Sequence, residues 1–263
     1  MKFNAILLDI AEGVATITLN RPDKLNSFTG EMHADLKQAM QIIMADAGVR
    51  VLMITGAGRG FCAGQDLSER MMGEGKETTD VGNSLEKNYN PLLKQLRALP
   101  YPVVCAVNGV AAGAGCNLVL ACDIVIAAKS ASFIQVFSRI ALVPDLGSTW
   151  LLPRLVGRQR ALELMLTNEP LSADLAKEWG LVREVFDDAA LRDGALALAR
   201  RLASGPTRAL VATRRLIDES EHSTYADQFR REIETQAQIR LSADAVEGRN
   251  AFLEKRPARF SGR

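Results

Sequence analysis

The 263-residue chain holds only two histidines, His33 and His222, and four cysteines, Cys62, Cys105, Cys116 and Cys122. Two histidines cannot supply a ligand cluster. The cysteines follow no zinc spacing and sit in apolar or glycine-rich segments, as small packed thiols do, so no metal site is expected. Charge of one sign is also missing: the formal net charge is +1, with no dense Lys/Arg stripe. Phosphate neutralisation supplies most nucleic-acid affinity, so no nucleic-acid partner is expected. The basic pairs Arg200-Arg201 and Arg214-Arg215 read as solvated helix faces. No stretch approaches the ~20 apolar residues of a membrane span. The start, Met1 to Leu8, has a short apolar run that meets Asp9 at once, without the apolar core of a secretory signal. A cytoplasmic protein with reduced thiols and no membrane association is the expectation. Internal repeats and low-complexity tracts are absent as well.

An apolar fraction of 48% and a charged fraction of 24% are ordinary for a globular chain. The length allows one large domain or a domain with an appendage. Against this plain background two glycine-rich turns stand out. Phe61-Cys62-Ala63-Gly64-Gln65-Asp66-Leu67 follows the apolar run Val51 to Thr55, and Asn108 through Gly115 (NGVAAGAG) follows Val103 to Val107. Small residues let backbone N–H groups approach a ligand closely. Two such turns converging from different strands can hold one carbonyl oxygen between a pair of amide donors, the arrangement that stabilises an enolate or a tetrahedral oxyanion.

Other glycine-rich sites are excluded by spacing. Gly56-Ala57-Gly58-Arg59-Gly60 has its third glycine one position early for G-x-G-x-x-G and does not run into a helix. Neither turn carries the Gly-Lys-Ser/Thr of a P-loop, and no G-x-S-x-G nucleophile elbow occurs. Cys62 reads as a packed cysteine rather than a thiol nucleophile.

Along the chain, the alternation over 13–20 predicts a half-buried strand, and Asn20 to Lys24 a proline-punctuated turn. Met32, Leu36, Met40 and Met44 recur at helical spacing, which predicts a core-packed helix ending near Gly48. Residues 68–88 are polar and glycine-punctuated, without an apolar face. They read as a mobile surface loop, either a lid or a plain insertion. From Pro102 the pattern runs strand, glycine turn, helix (about 112–121) and strand (123–127). Ser172 to Trp179 reads as a Ser-capped helix stopped by Gly180, and Leu181 to Phe186 as a strand. Beyond it come helices near 189–203, 208–220, 225–241 and 243–255. The break at Gly205-Pro206 divides a body, 1–204, from a helical appendage, 205–263.

These segments resemble the crotonase (enoyl-CoA hydratase/isomerase) superfamily over nearly the whole chain. The resemblance is carried by Leu19-Asn20-Arg21-Pro22 with Leu25-Asn26, Thr55 through Leu67, Ala106 through Asp123, Pro144 through Pro153 (PDLGSTWLLP) and Ala251 through Arg256. It implies an α/β fold: a spiral of repeated ββα units with a C-terminal helical region that mediates trimers, often stacked into hexamers. It implies an acyl-CoA thioester as substrate and no separate cofactor. By position the amides of Ala63 and Ala114 correspond to the two oxyanion-hole donors. CoA is expected along Lys24 to Asn26 and Cys62 to Asp66, with Gln65, Gly113, Asn117 and Phe137 also among the substrate-binding positions. Asp66 reads more as a loop-shaping residue than as a chemical one.

The chain departs from the hydratases of that superfamily where it matters. Their two glutamates appear here as Asn117 and Phe137, neither an acid nor a base, so syn addition of water by that route is not expected. A carboxylate stands instead at Asp145, in Val143-Pro144-Asp145-Leu146-Gly147, where the superfamily's isomerases carry an acid. Its apolar neighbours suggest a desolvated and therefore stronger base, although it could merely cap the helix that follows. One acid beside one oxyanion hole suits a proton shuttle on an acyl-CoA. FCAGQDL, YNPLLKQLRALP, NGVAAGAG, DIVIAAKSASF and VPDLGSTWLLPRLVGR resemble the branch that isomerises an aromatic-ring epoxide carried as a CoA thioester. A Δ3-Δ2-enoyl-CoA isomerase, a hydratase with a different acid arrangement, and a CoA- or RNA-binding relative are the alternatives. The superfamily's aryl-CoA dehalogenases carry a tryptophan where Phe137 stands, which disfavours that chemistry.

Overall fold

A computed structural model describes residues 3–68 and 84–263. β1 (Ile6–Ala11) and β2 (Val14–Leu19) form an antiparallel hairpin. Parallel pairing then adds β3 (Val51–Gly56), β5 (Val103–Val107), β7 (Ile124–Ala128) and β10 (Glu184–Phe186), giving a six-stranded sheet in the order β1-β2-β3-β5-β7-β10. VLMIT, VVCAV and IVIAA are nearly continuous apolar runs because the central parallel strands are covered on both faces. Three short strands, β4 (Gly60–Cys62), β6 (Val110–Ala112) and β8 (Ser132–Ile134), pair in parallel in a second sheet, closed by the antiparallel β9 (Leu171–Ser172). The chain thus leaves the large sheet at β3, β5 and β7, adds one strand to the small sheet each time, and proceeds to a helical segment. That is the expected spiral of ββα units.

α1 (Gly30–Ala45) starts at Thr29, whose side chain accepts the Met32 N–H, a standard N-cap. Met32, Leu36 and Met40 are buried in the core as their spacing predicts, whereas Met44 is about half exposed at 52%. The stripe drifts off the buried face in its last turn. Of the segment 68–88 read as a loop, 69–83 lies outside the described residues. The rest is partly helical: a π-turn at Leu85–Tyr89 runs directly into α2 (Asn90–Ala98). The second glycine-rich segment contains β6 and then α3 (Ala114–Leu120), so its "turn" is a strand and a tight corner. Only Glu184 to Phe186 of the run 181–186 is strand.

Asp145 does not cap the next helix. α4 (Ser148–Val156) starts after Gly147, whose left-handed backbone forms the cap, and no side chain caps it. α5 (Arg158–Thr167) and α6 (Ala173–Glu178) follow, the latter N-capped by Ser172 as its sequence indicates. α7 (Leu191–Ala203) lies on the large sheet, and α8 (Thr207–Ser220), α9 (Tyr225–Ile239) and α10 (Ala243–Leu253) complete the chain.

Two arginines fasten this C-terminal region to the body. Arg214 on α8 is no solvated surface residue. It pairs with Asp123 at 3.0 Å and donates to the carbonyls of Tyr101, at 3.2 Å, and Leu99. Burial raises the Asp123 carboxyl above its ordinary range, and the Arg214 charge offsets part of that rise. Arg50, at the start of the body, donates to Thr207 and to the Phe260 carbonyl, both at 3.0 Å, and to the Gly205 carbonyl. α9, in contrast, buries none of its residues and leaves Tyr225, Phe229 and Ile233 exposed.

Candidate active site

The two glycine-rich segments meet backbone to backbone. A Cβ at Gly115 would lie 2.2 Å from the Cys62 carbonyl oxygen, closer than any side chain can tolerate. Gly64 has φ +95°, and a Cβ there would lie 2.9 Å from the Ala112 oxygen and 3.5 Å from the Ala114 nitrogen. Only glycine satisfies both the close approach and the left-handed backbone. The pairing of β4 with β6 sets this contact.

Which amides face the cleft follows from where the others are used. The Ala63 N–H donates to the Leu25 carbonyl at 2.9 Å, the Gly64 N–H to the Cys62 thiol, and the Asp66 N–H to the Phe28 carbonyl at 2.9 Å. Ala63 is therefore not the donor that its position suggested: its hydrogen atom points at the Leu25 loop. Among the described residues the Gln65 N–H has no acceptor, and it follows the glycine that touches the second turn. In that turn Gly113 donates to Ile134 at 2.9 Å, while the Ala114 N–H has no acceptor among the described residues. Gln65 and Ala114 each bring an amide without an acceptor among the described residues to the place where the two turns meet.

The residues around the first turn serve to hold it. Asn26 is wholly buried. Its Nδ2 donates to the carbonyls of Ala57, at 2.9 Å, and Gly60, at 2.8 Å, and its Oδ1 accepts the Arg21 N–H at 2.8 Å. It clips two loops together, so its side chain is not the substrate contact that the resemblance implied. The Cys62 side chain is also wholly buried, and burial pushes its thiol up to about 12, which keeps it protonated and so removes it as a nucleophile. Asp66 bonds to Ser68 Oγ at 2.6 Å and to Arg21 at 3.0 Å. The Ser68 hydroxyl first, then Arg21, hold its carboxyl down at about 2, consistent with a loop-shaping role. The Gln65 side chain donates to the Phe28 carbonyl at 3.0 Å and accepts the Tyr89 hydroxyl at 2.7 Å, tying the π-turn to the oxyanion loop. Lys24 is exposed on a 3-10 turn, Pro22–Lys24, beside this frame.

Asp145 is half-buried and reaches the same region through Asn117. Ala114 opens α3, and Asn117 stands three residues on, one helical turn later. Asn117 Nδ2 lies 3.1 Å from the Asp145 carbonyl oxygen and 3.3 Å from its carboxylate Oδ1. Ser148 adds two donors to the same carbonyl, its N–H at 2.9 Å and its hydroxyl at 2.8 Å. One short helix therefore carries both an unbonded backbone amide, that of Ala114, and the side chain that grips the carboxylate. Phe137, buried in a 3-10 turn, accepts the Leu142 N–H at 3.0 Å at the start of the Asp145 loop. A cavity of about 420 Å³ opens beside that loop; Leu85, Leu93, Ala121, Leu146, Trp150 and Leu151 make most of its wall, with Glu86, Asn90, Lys94 and Arg97 also lining it.

Two further buried groups stand beside these residues. Gln135, 2% exposed, donates from Nε2 to Asn117 Oδ1 at 3.0 Å and to the Cys116 sulfur at 3.4 Å. His33 stacks on Phe28 with ring centroids 5.1 Å apart and meets Tyr89 edge-on at 4.3 Å. Burial lowers its pKa to about 4. Its place beside Met32 on the apolar stripe of α1 was its one signal in the sequence.

A spiral of ββα units whose two glycine-rich segments meet backbone to backbone, with a carboxylate held from the helix that opens at the second of them, is the crotonase fold. The chain belongs to the enoyl-CoA hydratase/isomerase family, whose sequence pattern matches residues 9–263. It is 50% identical over 258 residues, 98% of each chain, to a 1,2-epoxyphenylacetyl-CoA isomerase from Escherichia coli. It is 42% identical over the full length of both chains to a Rhodobacter capsulatus protein named "probable enoyl-CoA hydratase". Among solved structures, an enoyl-CoA hydratase from Bacillus anthracis superposes with a TM-score of 0.92 at 34% identity, covering 99% of this chain and 100% of that one. The chain is thus an acyl-CoA enzyme by family.

Proposed function

We propose that this enzyme isomerises ring-1,2-epoxyphenylacetyl-CoA to the oxepin-CoA isomer, a step of phenylacetate degradation. The observation that carries the reading is the Asp145 carboxylate held by Asn117. At the two positions where hydratases place glutamates stand a buried amide, Asn117, and a buried phenyl ring, Phe137, while Asp145 is gripped by that same amide. Isomerisation neither gains nor loses an atom and needs no second acid to deliver water. In the proposed cycle Asp145 accepts a proton from the acyl chain, the Gln65 and Ala114 amides hold the developing enolate oxygen, and the proton returns at another position. Each donor is worth roughly 10²–10³ in rate. The similarity to the E. coli isomerase supports the aromatic substrate, and the cavity beside Leu146 and Trp150 suits a ring.

The CoA thioester is itself the substrate, so the cycle calls for no separate cofactor. The exposed Tyr225, Phe229 and Ile233 of α9 support self-association through the region 205–263, as a homotrimer or a homohexamer. A cytoplasmic location fits this chemistry, and no described helix is long and apolar enough to cross a membrane. The same Asp145 also suits a Δ3-Δ2-enoyl-CoA isomerase, which would convert a β,γ-unsaturated acyl-CoA but leave the ring epoxide unchanged. The test is mass spectrometry after incubation with the ring epoxide. A new species of unchanged mass supports the proposal, and a product heavier by one water contradicts it.

A further inference from the structure

We propose that Gln135 is a positioning residue for Asp145 and acts through Asn117. The inference rests on Asp145 as the base and concerns what sets its carboxylate in place. An amide can present its NH₂ to one side only. Asp145 offers Asn117 two acceptors, the main-chain carbonyl at 3.1 Å and carboxylate Oδ1 at 3.3 Å, so the NH₂ of Asn117 has to face Asp145. That leaves Asn117 Oδ1 facing inward, where Gln135 Nε2 donates to it at 3.0 Å. If Asn117 turned over, its carbonyl oxygen would face both acceptors of Asp145 and its NH₂ would face the NH₂ of Gln135. Both contacts would be repulsive. Gln135 therefore holds from the inner side the same sense of the amide that Asp145 requires from the outer side.

Burial makes this orientation consequential. Asn117 is 0% exposed and Gln135 2% exposed, so water cannot substitute for either amide. Among the described residues, Gln135 Oε1 has no hydrogen-bond partner. A residue kept for packing alone would be better as methionine or leucine, which would fill the volume without an unsatisfied oxygen. The amide is accounted for by what its nitrogen does. Gln135 follows β8 directly, and Ile134, the last residue of β8, accepts the Gly113 N–H at 2.9 Å. One strand end therefore supports both the second oxyanion turn and the Asp145 amide chain.

The test is a double-mutant cycle between Gln135→Met and Asn117→Ala. It is read as kcat and KM for isomerisation of a β,γ-unsaturated acyl-CoA, with crystal structures of wild type and Gln135→Met. Expected for Gln135→Met is a kcat about 10-fold lower, with KM changed by less than about 2-fold. In the Asn117→Ala background the same substitution should have no further effect, because the residue through which it acts is gone. The Gln135→Met crystal structure should show the Asp145 carboxylate displaced or in more than one position. Losses that multiply in the double variant would overturn the proposal, since they would mean Gln135 acts by packing. So would an Asp145 carboxylate unmoved in the Gln135→Met crystal structure. If wild type is as inactive as Asp145→Asn, the reading of Asp145 as base fails, and the crystal structures still decide the positioning role.

Discussion

Asn117 Nδ2 holds Asp145 by two oxygens at once, its main-chain carbonyl at 3.1 Å and its carboxylate Oδ1 at 3.3 Å. In the proposed mechanism the residue at a position where the resemblance implies a hydratase acid instead clamps a different acid. Such a clamp suits proton transfer without addition of water.

Asn117→Ala releases the clamp while leaving the two oxyanion amides in place. The expected outcome is a kcat lower by about 10- to 100-fold with KM nearly unchanged, since misplacing a catalytic group affects the transition state more than ground-state binding. Steady-state kinetics on an acyl-CoA substrate checks it. A raised KM at constant kcat would instead assign Asn117 to substrate binding.

Gly115→Ala places a Cβ 2.2 Å from the Cys62 carbonyl, so the two turns must separate. A loss of about 2–3 kcal/mol in stability and a large fall in kcat are expected, because backbone cannot yield as a flexible side chain does. Gly30→Ala is the control: a Cβ there meets nothing within 4 Å, and the melting temperature should hold or rise slightly.

Much of this architecture was legible in the chain. Apolar runs marked the central strands, helical spacing marked α1, and Pro144 to Gly147 marked the loop of the carboxylate. Which amide of the first turn is left unbonded was not legible. Whether Ala63 or Gln65 faces the cleft depends on acceptors at Leu25 and Phe28, which come from a loop nearly forty residues away in sequence. Gln135 was equally silent, because β8 is only three residues long and a polar residue beyond it looks like loop. Arg214 looked solvated because its partners, Leu99, Tyr101 and Asp123, come from a distant part of the chain.

Arg214→Met removes the cation from Asp123 and the donors from the Tyr101 and Leu99 carbonyls. Its side chain is only 12% exposed, so an uncompensated carboxylate is left behind. A destabilisation of about 2–4 kcal/mol is expected. Thermal denaturation checks it, and replacing Asp123 by Asn in the same chain should restore part of the loss.

His33 makes stability depend on pH. Its folded pKa is about 4 against an ordinary 6.5, so between those values the unfolded chain binds the proton and the folded one does not. Stability contributed by the neutral ring is therefore complete above pH 6.5 and declines as pH falls towards 4, by at most about 3 kcal/mol. Denaturant unfolding between pH 4.5 and pH 7.5 should show this slope in wild type and a shallower one in His33→Phe. Equal slopes in the two proteins would remove His33 as the cause.

The central claim is that a single carboxylate shuttles a proton without adding water. The most direct measurement is mass spectrometry of wild type and Asp145→Asn, each incubated in D₂O with ring-1,2-epoxyphenylacetyl-CoA and, separately, with a β,γ-unsaturated acyl-CoA. Wild type is expected to give isomerised product, with deuterium entering the product of the unsaturated acyl-CoA. Turnover lower by about 10³-fold or more is expected in Asp145→Asn. Product carrying an added water, formed equally by both proteins, would contradict it.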